Sequence, residues 1–475
     1  MGNVRKEWGE NKLVKTRFAP SPTGYLHIGG VRTALFNYIY ARKYKGQFLV
    51  RIEDTDAERS KEEFVTAILD GLDWLNLSPD VEPIKQSTRY GIYKKNALEL
   101  LNNGSAYRCN CSQERLANLR AEQEKNGLKP SYDGFCRDKS IEDINSAIRI
   151  KSPKEGETIV NDEVYGTIHF PNKELDDLII LRSDGSPTYH FCNVIDDNEQ
   201  GVTHVIRGED HLPNTPRQIQ IVNALGYKGF SYAHLPLVLG EDRKRLSKRH
   251  AATDLMTYKQ QGYLPDALKN MLIRLGWSKV EQEVFAISEI LDSFNLTDIQ
   301  RAGAVFDIGR LNFINQEHLA LKNDVELLHL IKPFADKIDL DLDSHHDPKR
   351  LIRLCVGSGN NLEEIAHFLI PFVRNYDEYS DDCYEKFLIG SEKVLDFFNT
   401  QISTLDEWSE TAINEVIDRA KTELDLPMPK IGMPMRAALL GRTKSPPLDA
   451  TIYLLKKEQV LERIAQTLKK ITAEC

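Results

Sequence analysis

The sequence predicts an α/β fold in which a parallel-sheet half is followed by an all-helical half. Three observations carry this. Leu13 to Phe18 reads as a short strand, Val31 to Tyr44 as a helix and Gln47 to Ile52 as a second strand, a strand–turn–helix–strand unit. The helix shows in Ala34, Leu35, Tyr38, Ile39 and Ala41, which recur three and four residues apart. Beyond Lys322 the same helical spacing dominates, as in Leu327, Leu328, Ile331 and Phe334, then Leu362, Ile365, Ala366 and Leu369, then Ala412, Ile413, Val416 and Ala420.

A chain of 475 residues has room for about two to four domains. No run approaches the roughly eighteen apolar residues of a membrane span, so no membrane partner is expected. The first residues are charged and lack the apolar core of a secretory signal, and Lys6 stands where a myristoylation motif needs Ser or Thr. Seven cysteines, an odd number, suit a reducing cytoplasm better than a disulfide framework. The net charge of −9 allows a nucleic-acid partner only through local basic patches, whose affinity falls steeply with salt.

The first turn runs Arg17-Phe18-Ala19-Pro20-Ser21-Pro22-Thr23-Gly24-Tyr25-Leu26-His27-Ile28-Gly29-Gly30. Pro20 and Pro22 stiffen it, and the glycines clear side chains from the start of the helix. Unpaired N–H groups at a helix N-terminus attract phosphate, and His27 adds a donor there. The run is neither G-x-G-x-x-G nor G-x-x-x-x-G-K-[ST], which disfavours a dinucleotide fingerprint and a P-loop. After the second strand, Glu53 stands at a position suited to ligand contact, whereas Asp54 and Asp56 read as caps for a helix over Ala57 to Leu75.

Cys109-x-Cys111-x24-Cys136-x-Asp138 has the spacing of a metal knuckle, or of one that has lost its metal. Gly166 to Val194 reads as hairpin strands, with Asp184-Gly185 turning between Leu178–Leu181 and Thr188–Val194. Tyr189 and Asn193 then share a strand face. Thr203 to Arg207 is a short strand ending in Gly208-Glu209-Asp210-His211, and Thr215-Pro216 reads as a capped helix start closed by Gly226. Leu235 to Leu239 leads into the basic run Lys244-Arg245-Leu246-Ser247-Lys248-Arg249, which alone is a solvated face or a nucleic-acid patch. Ala267, Leu268, Met271, Leu272 and Leu275 form one helix face, stopped at Gly276.

Taken together, the H-I-G-G turn and the distal L-S-K-R loop resemble the two nucleotide-binding motifs of class I aminoacyl-tRNA synthetases. With "RIEDTD", "ELDDLII", "GSPTYHF", "THVIRGEDH" and "NTPRQ", the chain from Thr16 onward is similar to the bacterial-type glutamyl-tRNA synthetases, most strongly up to Trp277. The resemblance implies a Rossmann-like catalytic domain over 13–325. An acceptor-binding insertion would occupy about 76–195, a helical stem-contact part 251–325, and an all-α anticodon-binding region 326–475.

It implies ATP held by Pro20, Ser21, Gly24, His27, Gly29, Gly30, Glu209, Arg245, Leu246, Ser247, Lys248 and Arg249, with His27 and Lys248 catalytic and Mg2+ bridging phosphate oxygens. L-glutamate would lie against Arg17, Ala19, Ser21, Glu53, Tyr189, Asn193 and Arg207. One structural Zn2+ would sit on Cys109, Cys111, Cys136 and Asp138, the last standing where the family usually has His. Ser358, Lys430 and Arg436 would face the anticodon. The implied reaction joins glutamate to tRNA(Glu) through a glutamyl-adenylate, in a cytoplasmic monomer. Ser358, standing where relatives that reject glutamine's tRNA carry Arg, is compatible with charging tRNA(Gln) as well. A small-molecule adenylyltransferase would not need the helical half, and a synthetase-derived protein without catalysis would be expected to have lost His27, Glu53, Arg207 or Lys248.

Overall fold

The computed structural model describes residues 13–56, 58–246, 254–376, 379 and 383–474. The chain divides into two compact units, one running to Tyr258 and resuming over Leu268–Ile308, the other made of Lys259–Ala267 and the chain from Gly309 onward.

The first unit opens as the sequence predicts. Strand β1 (Lys15–Phe18) leads through the Pro/Gly turn to helix α1 (Ile28–Lys43) and strand β2 (Gln47–Ile52). His27 caps α1: its Nδ1 accepts the Gly29 N–H at 3.0 Å, satisfying one of the orphan amides of the first turn. Ile28, Val31, Leu35 and Ile39 are buried, each such side chain contributing roughly 1.5–3 kcal/mol. Five consecutive residues of β2, Phe48 to Ile52, are buried, as expected of a strand covered on both faces. β1 pairs in parallel with β2, and β2 with β3 (Ile84–Lys85).

The chain then leaves the sheet. After helix α2 (Glu62–Trp74) and helix α3 (Tyr90–Asn102) come β4 (Ala106–Cys109), α4 (Gln113–Lys125) and β5 (Ala147–Ile150). β6 (Glu157–Asp162) and β7 (Gly166–Pro171) form an antiparallel hairpin, and β8 (Ile179–Leu181) joins β4 and β5 in a small antiparallel sheet. Helix α5 (Tyr189–Glu199), β9 (His204–Gly208), α6 (Thr215–Ala224) and β10 (Ser231–Leu235) follow. The strand order β7-β6-β10-β9 puts β10 between β9 and β6, parallel to both. β1 lies beside β9, where the Thr203 N–H donates to the Lys15 carbonyl at 2.9 Å. Two short strands, β11 (Val238–Leu239) and β12 (Ala304–Val305), pair in parallel; β12 falls within the stretch after Ala251 that the sequence reads as mainly helical.

Three local expectations are corrected. Thr188 to Val194 is not a returning strand but the start of α5. Its residues are buried without interruption from Phe191 to Asp197, so neither period shows in the apolar pattern, and Phe191, Val194 and Ile195 fit a helix equally well. Asp54 and Asp56 cap no helix, because α2 begins at Glu62 with Lys61 before it; Asp54 accepts from the Ser87 N–H (2.8 Å) and hydroxyl (2.6 Å), and Asp56 pairs with Arg59. Asn214, not Thr215, precedes α6, and the Thr215 hydroxyl is turned inward.

The second unit is helical through Asp324–Asp336, Pro348–Cys355, Leu362–Val373, Glu392–Ser403, Glu410–Glu423, Met428–Leu440, Leu448–Leu454 and Lys457–Glu474. Several starts are capped as side-chain chemistry dictates: Asn323 with Glu326, Asp347 on the Arg350 N–H, and Asn361 on the Glu364 N–H. Gly441, at φ 67°, ends the sixth of these helices in the left-handed conformation. Apolar faces meet between Glu392–Ser403 and Lys457–Glu474, and between Asp324–Asp336 and its two successors.

Candidate active site

In the first unit the carboxyl ends of β1, β2, β9 and β10 open on one cavity of about 570 Å³. This is where an open α/β sheet binds ligands, because loops there are free to turn side chains over the strand ends. Arg17, Ala19, Pro20, Ser21, Gly24, His27, Gly29, Gly30, Glu53, Tyr189, Arg207, Arg245 and Leu246 all line it, so segments far apart in sequence form a single wall. The Glu53 N–H donates to the Pro20 carbonyl at 2.9 Å and fixes the first turn to the end of β2.

One wall is built for anions. Because the His27 Nδ1 accepts from Gly29, the neutral ring carries its proton on Nε2, which makes Nε2 a donor beside the start of α1. A Cβ on Gly30 would approach Leu26 Cδ1 to 3.2 Å, so bulk here would disturb the turn. Arg245 pairs with Asp210 at 2.9 Å, and the Leu246 N–H donates to the Val238 carbonyl. Ser247, Lys248 and Arg249 lie outside the described residues. The Glu209 carboxylate accepts from the Leu237 N–H (2.9 Å) and from the Tyr165 hydroxyl, and is not part of the cavity lining.

The other wall is a buried charge network. Asp197 on α5 accepts from Arg17 Nε (3.0 Å) and Arg51 Nη1 (2.6 Å). Burial pushes the Asp197 carboxyl up, but Arg17 and Arg51 more than offset this and hold it below the ordinary range. Glu53 lies 3.4 Å from Arg51, yet burial keeps its carboxyl above the ordinary range against Arg51 and Arg17. Asn193 is engaged by Arg51 and donates to the Tyr189 carbonyl, and the Tyr189 hydroxyl meets His211 Nδ1 at 3.1 Å. Burial, with Arg207 second, pulls the His211 ring down to about 4, so it is neutral at ordinary pH. Arg207 has no acidic partner among the described residues. Its Nη2 donates to the Thr215 hydroxyl (2.9 Å) and its Nε to His234 Nε2 (3.2 Å).

The sequence reading missed Arg51, Asp196 and Asp197, the fully buried counter-ions behind this wall. The signal available was parity: Arg51 on β2 and Glu53 just past its end are two apart in extended chain, so they face one side. It also missed Arg32, whose guanidinium bonds the Leu275 and Pro236 carbonyls and which burial lowers to about 10.

The cysteine knuckle gathers as expected, except at its fourth position. The sulfurs of Cys109, Cys111 and Cys136 lie within 4.8 Å of one another. Asp138 is exposed and outside this cluster. The Tyr132 hydroxyl stands there instead, 3.5 Å from Cys109 Sγ and 3.6 Å from Cys111 Sγ. Sequence spacing pointed to Asp138 because it copies the family's Cys-x-His step, while Tyr132 comes four residues before Cys136. Tetrahedral zinc with bonds of about 2.3 Å needs sulfurs under about 4 Å apart, and Cys111 and Cys136 stand at 3.4 Å, within that span.

In the helical unit the Ser358 carbonyl accepts from Lys444 Nζ at 2.9 Å, Lys430 is exposed, and Arg436 is half-buried with its Nε on the Ser445 hydroxyl.

Residues 13–313 match the family described as tRNA synthetases class I (E and Q), catalytic domain, and residues 326–468 match an anticodon binding domain. The chain is 44% identical over 464 residues to a glutamate–tRNA ligase of Legionella pneumophila subsp. pneumophila, covering 97% of this chain and 98% of that protein. It is 42% identical to glutamate–tRNA ligase 2 of Halorhodospira halophila, over 96% of this chain and 98% of that one. Among solved structures, a glutamate tRNA ligase of Elizabethkingia meningosepticum in complex with its amino acid superposes with a TM-score of 0.86 at 30% identity, over 97% of this chain and all of that one.

Proposed function

Because this chain belongs to the class I tRNA synthetases, as a glutamate–tRNA ligase, we propose that it joins L-glutamate to tRNA(Glu) through a glutamyl-adenylate formed in the 570 Å³ cavity. The observation that carries this reading is the meeting of two walls, one ending in a helix N-terminus with His27, the other in Arg17, Glu53 and Arg207. In the first transfer the glutamate α-carboxylate attacks the α-phosphorus of ATP, and the bond to pyrophosphate breaks. In the second, the 2′-hydroxyl of the tRNA's terminal adenosine takes the glutamyl group and AMP leaves. Neither step needs a side-chain nucleophile; positioning and charge stabilisation suffice.

Each wall has its task. The amides at the start of α1 and the His27 Nε2–H meet phosphate oxygens, and Lys248 adds its charge to theirs. Mg2+, when bound, neutralises charge between phosphate oxygens. Glu53 takes the α-ammonium, and the arriving cation favours the ionised carboxylate that burial disfavours. Arg207 takes a substrate carboxylate, Arg17 steadies the second, and Tyr189 closes the side. Bound glutamate brings one net negative charge to a wall whose one cation without an acid is Arg207, among the described residues.

Aminoacylation with purified tRNA(Glu) and tRNA(Gln), each offered glutamate and glutamine, tests the reading. Glutamylated tRNA(Glu) is expected, and its absence would defeat it. We also propose that tRNA(Gln) accepts glutamate, since the small Ser358 presents no guanidinium at its turn; an uncharged tRNA(Gln) in the same assay ends that part. The enzyme works as a monomer, with 326–475 as the anticodon-binding region. No helix of the described residues is long and apolar enough to cross a membrane.

His27→Ala is expected to lower the single-turnover rate of adenylate formation by about 10²–10³, the size of a lost charge-stabilising donor, with little change in glutamate affinity. A structural zinc ion would be held by Cys109, Cys111, Cys136 and Tyr132. Metal analysis is expected to find about one equivalent, and Cys136→Ser to lower the melting temperature without altering KM for glutamate. Less than about a tenth of an equivalent would remove the metal.

A further inference from the structure

We propose that His234, clamped by Asp162, is a positioning residue that aims Arg207 at the substrate carboxylate. The three lie on neighbouring strands. Arg207 on β9 and His234 on β10 are register partners, and Asp162 ends β6 on the far side of β10. All three are buried.

The direction of each hydrogen bond is fixed by chemistry. A guanidinium can only donate, so His234 Nε2 accepts from Arg207 Nε at 3.2 Å. The ring proton of neutral His234 is then on Nδ1, where it is donated to Asp162 Oδ2 at 2.6 Å. Asp162 is itself held, since its Oδ1 accepts the Val164 and Tyr165 N–H groups, both at 2.9 Å. Burial, first among several causes, keeps the His234 ring below its ordinary value and so in the neutral form.

The consequence falls on the far edge of Arg207. Nε is taken by His234 and Nη2 by Thr215, while Nη1 has no hydrogen-bond partner among the described residues. A carboxylate in the cavity would therefore meet a guanidinium whose plane is set before it arrives, which lowers the ordering cost of binding. Burying three polar side chains in a row has a stability cost that apolar residues would avoid; a role in substrate orientation accounts for it.

The inference rests on Arg207 being a glutamate ligand, and Arg207→Ala alone tests that premise. Asp162→Asn is the decisive variant. The two backbone amides on Oδ1 require an oxygen there, so the new amide NH2 faces His234 Nδ1. The ring must then carry its proton on Nε2, facing the Arg207 Nε–H, with only the Thr215 hydroxyl at 3.1 Å to accept it, so the His234–Arg207 bond is lost. The test is steady-state aminoacylation at saturating tRNA, with thermal unfolding of each variant. Asp162→Asn and His234→Phe are each expected to raise KM for glutamate roughly ten- to a hundredfold, with KM for ATP unchanged within about threefold. His234→Gln, whose amide oxygen reaches the Nε2 position, should stay within about fivefold of the parent. In an Arg207→Ala background, Asp162→Asn should have no further effect on glutamate KM. If His234→Phe does not fold, the isosteric Asp162→Asn decides alone. An unchanged glutamate KM in folded Asp162→Asn, an equal rise for ATP, or full additivity with Arg207→Ala would overturn the inference. No effect of Arg207→Ala itself would instead overturn the reading of the site.

Discussion

Arg207→Ala is expected to lower kcat/KM for glutamate by roughly 10²–10³, while KM for ATP stays near that of the parent. Arg17 and Arg51 both face Asp197, and Arg51 also faces Glu53, but among the described residues Arg207 meets only His234, Thr215 and a carbonyl. Burial lowers its pKa, the mark of a cation desolvated without an acid beside it. Removing it leaves a substrate carboxylate buried and unpaired, and breaking such a pair costs about 3–5 kcal/mol. Stability should change far less, because among the described residues the guanidinium has no ion pair to lose. Arg207→Lys is expected to recover little, since a point charge cannot keep Nε on His234, Nη2 on Thr215 and a third donor on substrate together. Glutamate titrations of the three proteins at fixed ATP and tRNA measure this.

The largest stability effect is expected at Asp197. Asp197→Asn leaves Arg17 and Arg51 buried with one carboxylate fewer between them, a loss of about 3–5 kcal/mol. The pH dependence follows from the sign of the shift. The folded carboxyl titrates below its ordinary value of 3.8, so its contribution is fully present above that value and is lost as pH falls through the lower, folded one. Urea melts of parent and variant should therefore differ most near neutrality and converge below about pH 4. A gap that widened on acidification would mean that the carboxylate does not stabilise the fold through Arg17 and Arg51.

Much of the wall was legible before any coordinates. Pro20, Gly24 and Gly29-Gly30 punctuate the first turn, and Arg17, Glu53 and Arg207 stand at or just past strand ends, where side chains can reach a ligand. What stayed hidden depends on neighbours distant in sequence. Asp197 carries no sequence signal of its own; its role rests on Arg17 and Arg51 closing against it. Tyr132 carries no metal-ligand signal in the sequence; only the fold sets its hydroxyl beside the Cys109 and Cys111 sulfurs. α5 reads as a strand because its burial is all-round, which erases the period that separates helix from strand.

The place of β1 between β2 and β9 also bears on how the protein is made. β1 leaves the ribosome well before β9, so the neighbour on its second edge arrives only with residues 203–208. Throughout that interval the nascent chain carries an open strand edge, beside apolar residues destined for the interior, and such an edge invites pairing with other chains. Contacts this far apart in sequence also form late. Products that stop before β9 would lack Arg207, so the two walls of the cavity would not yet face each other, and their open edge would favour capture by chaperones or proteases.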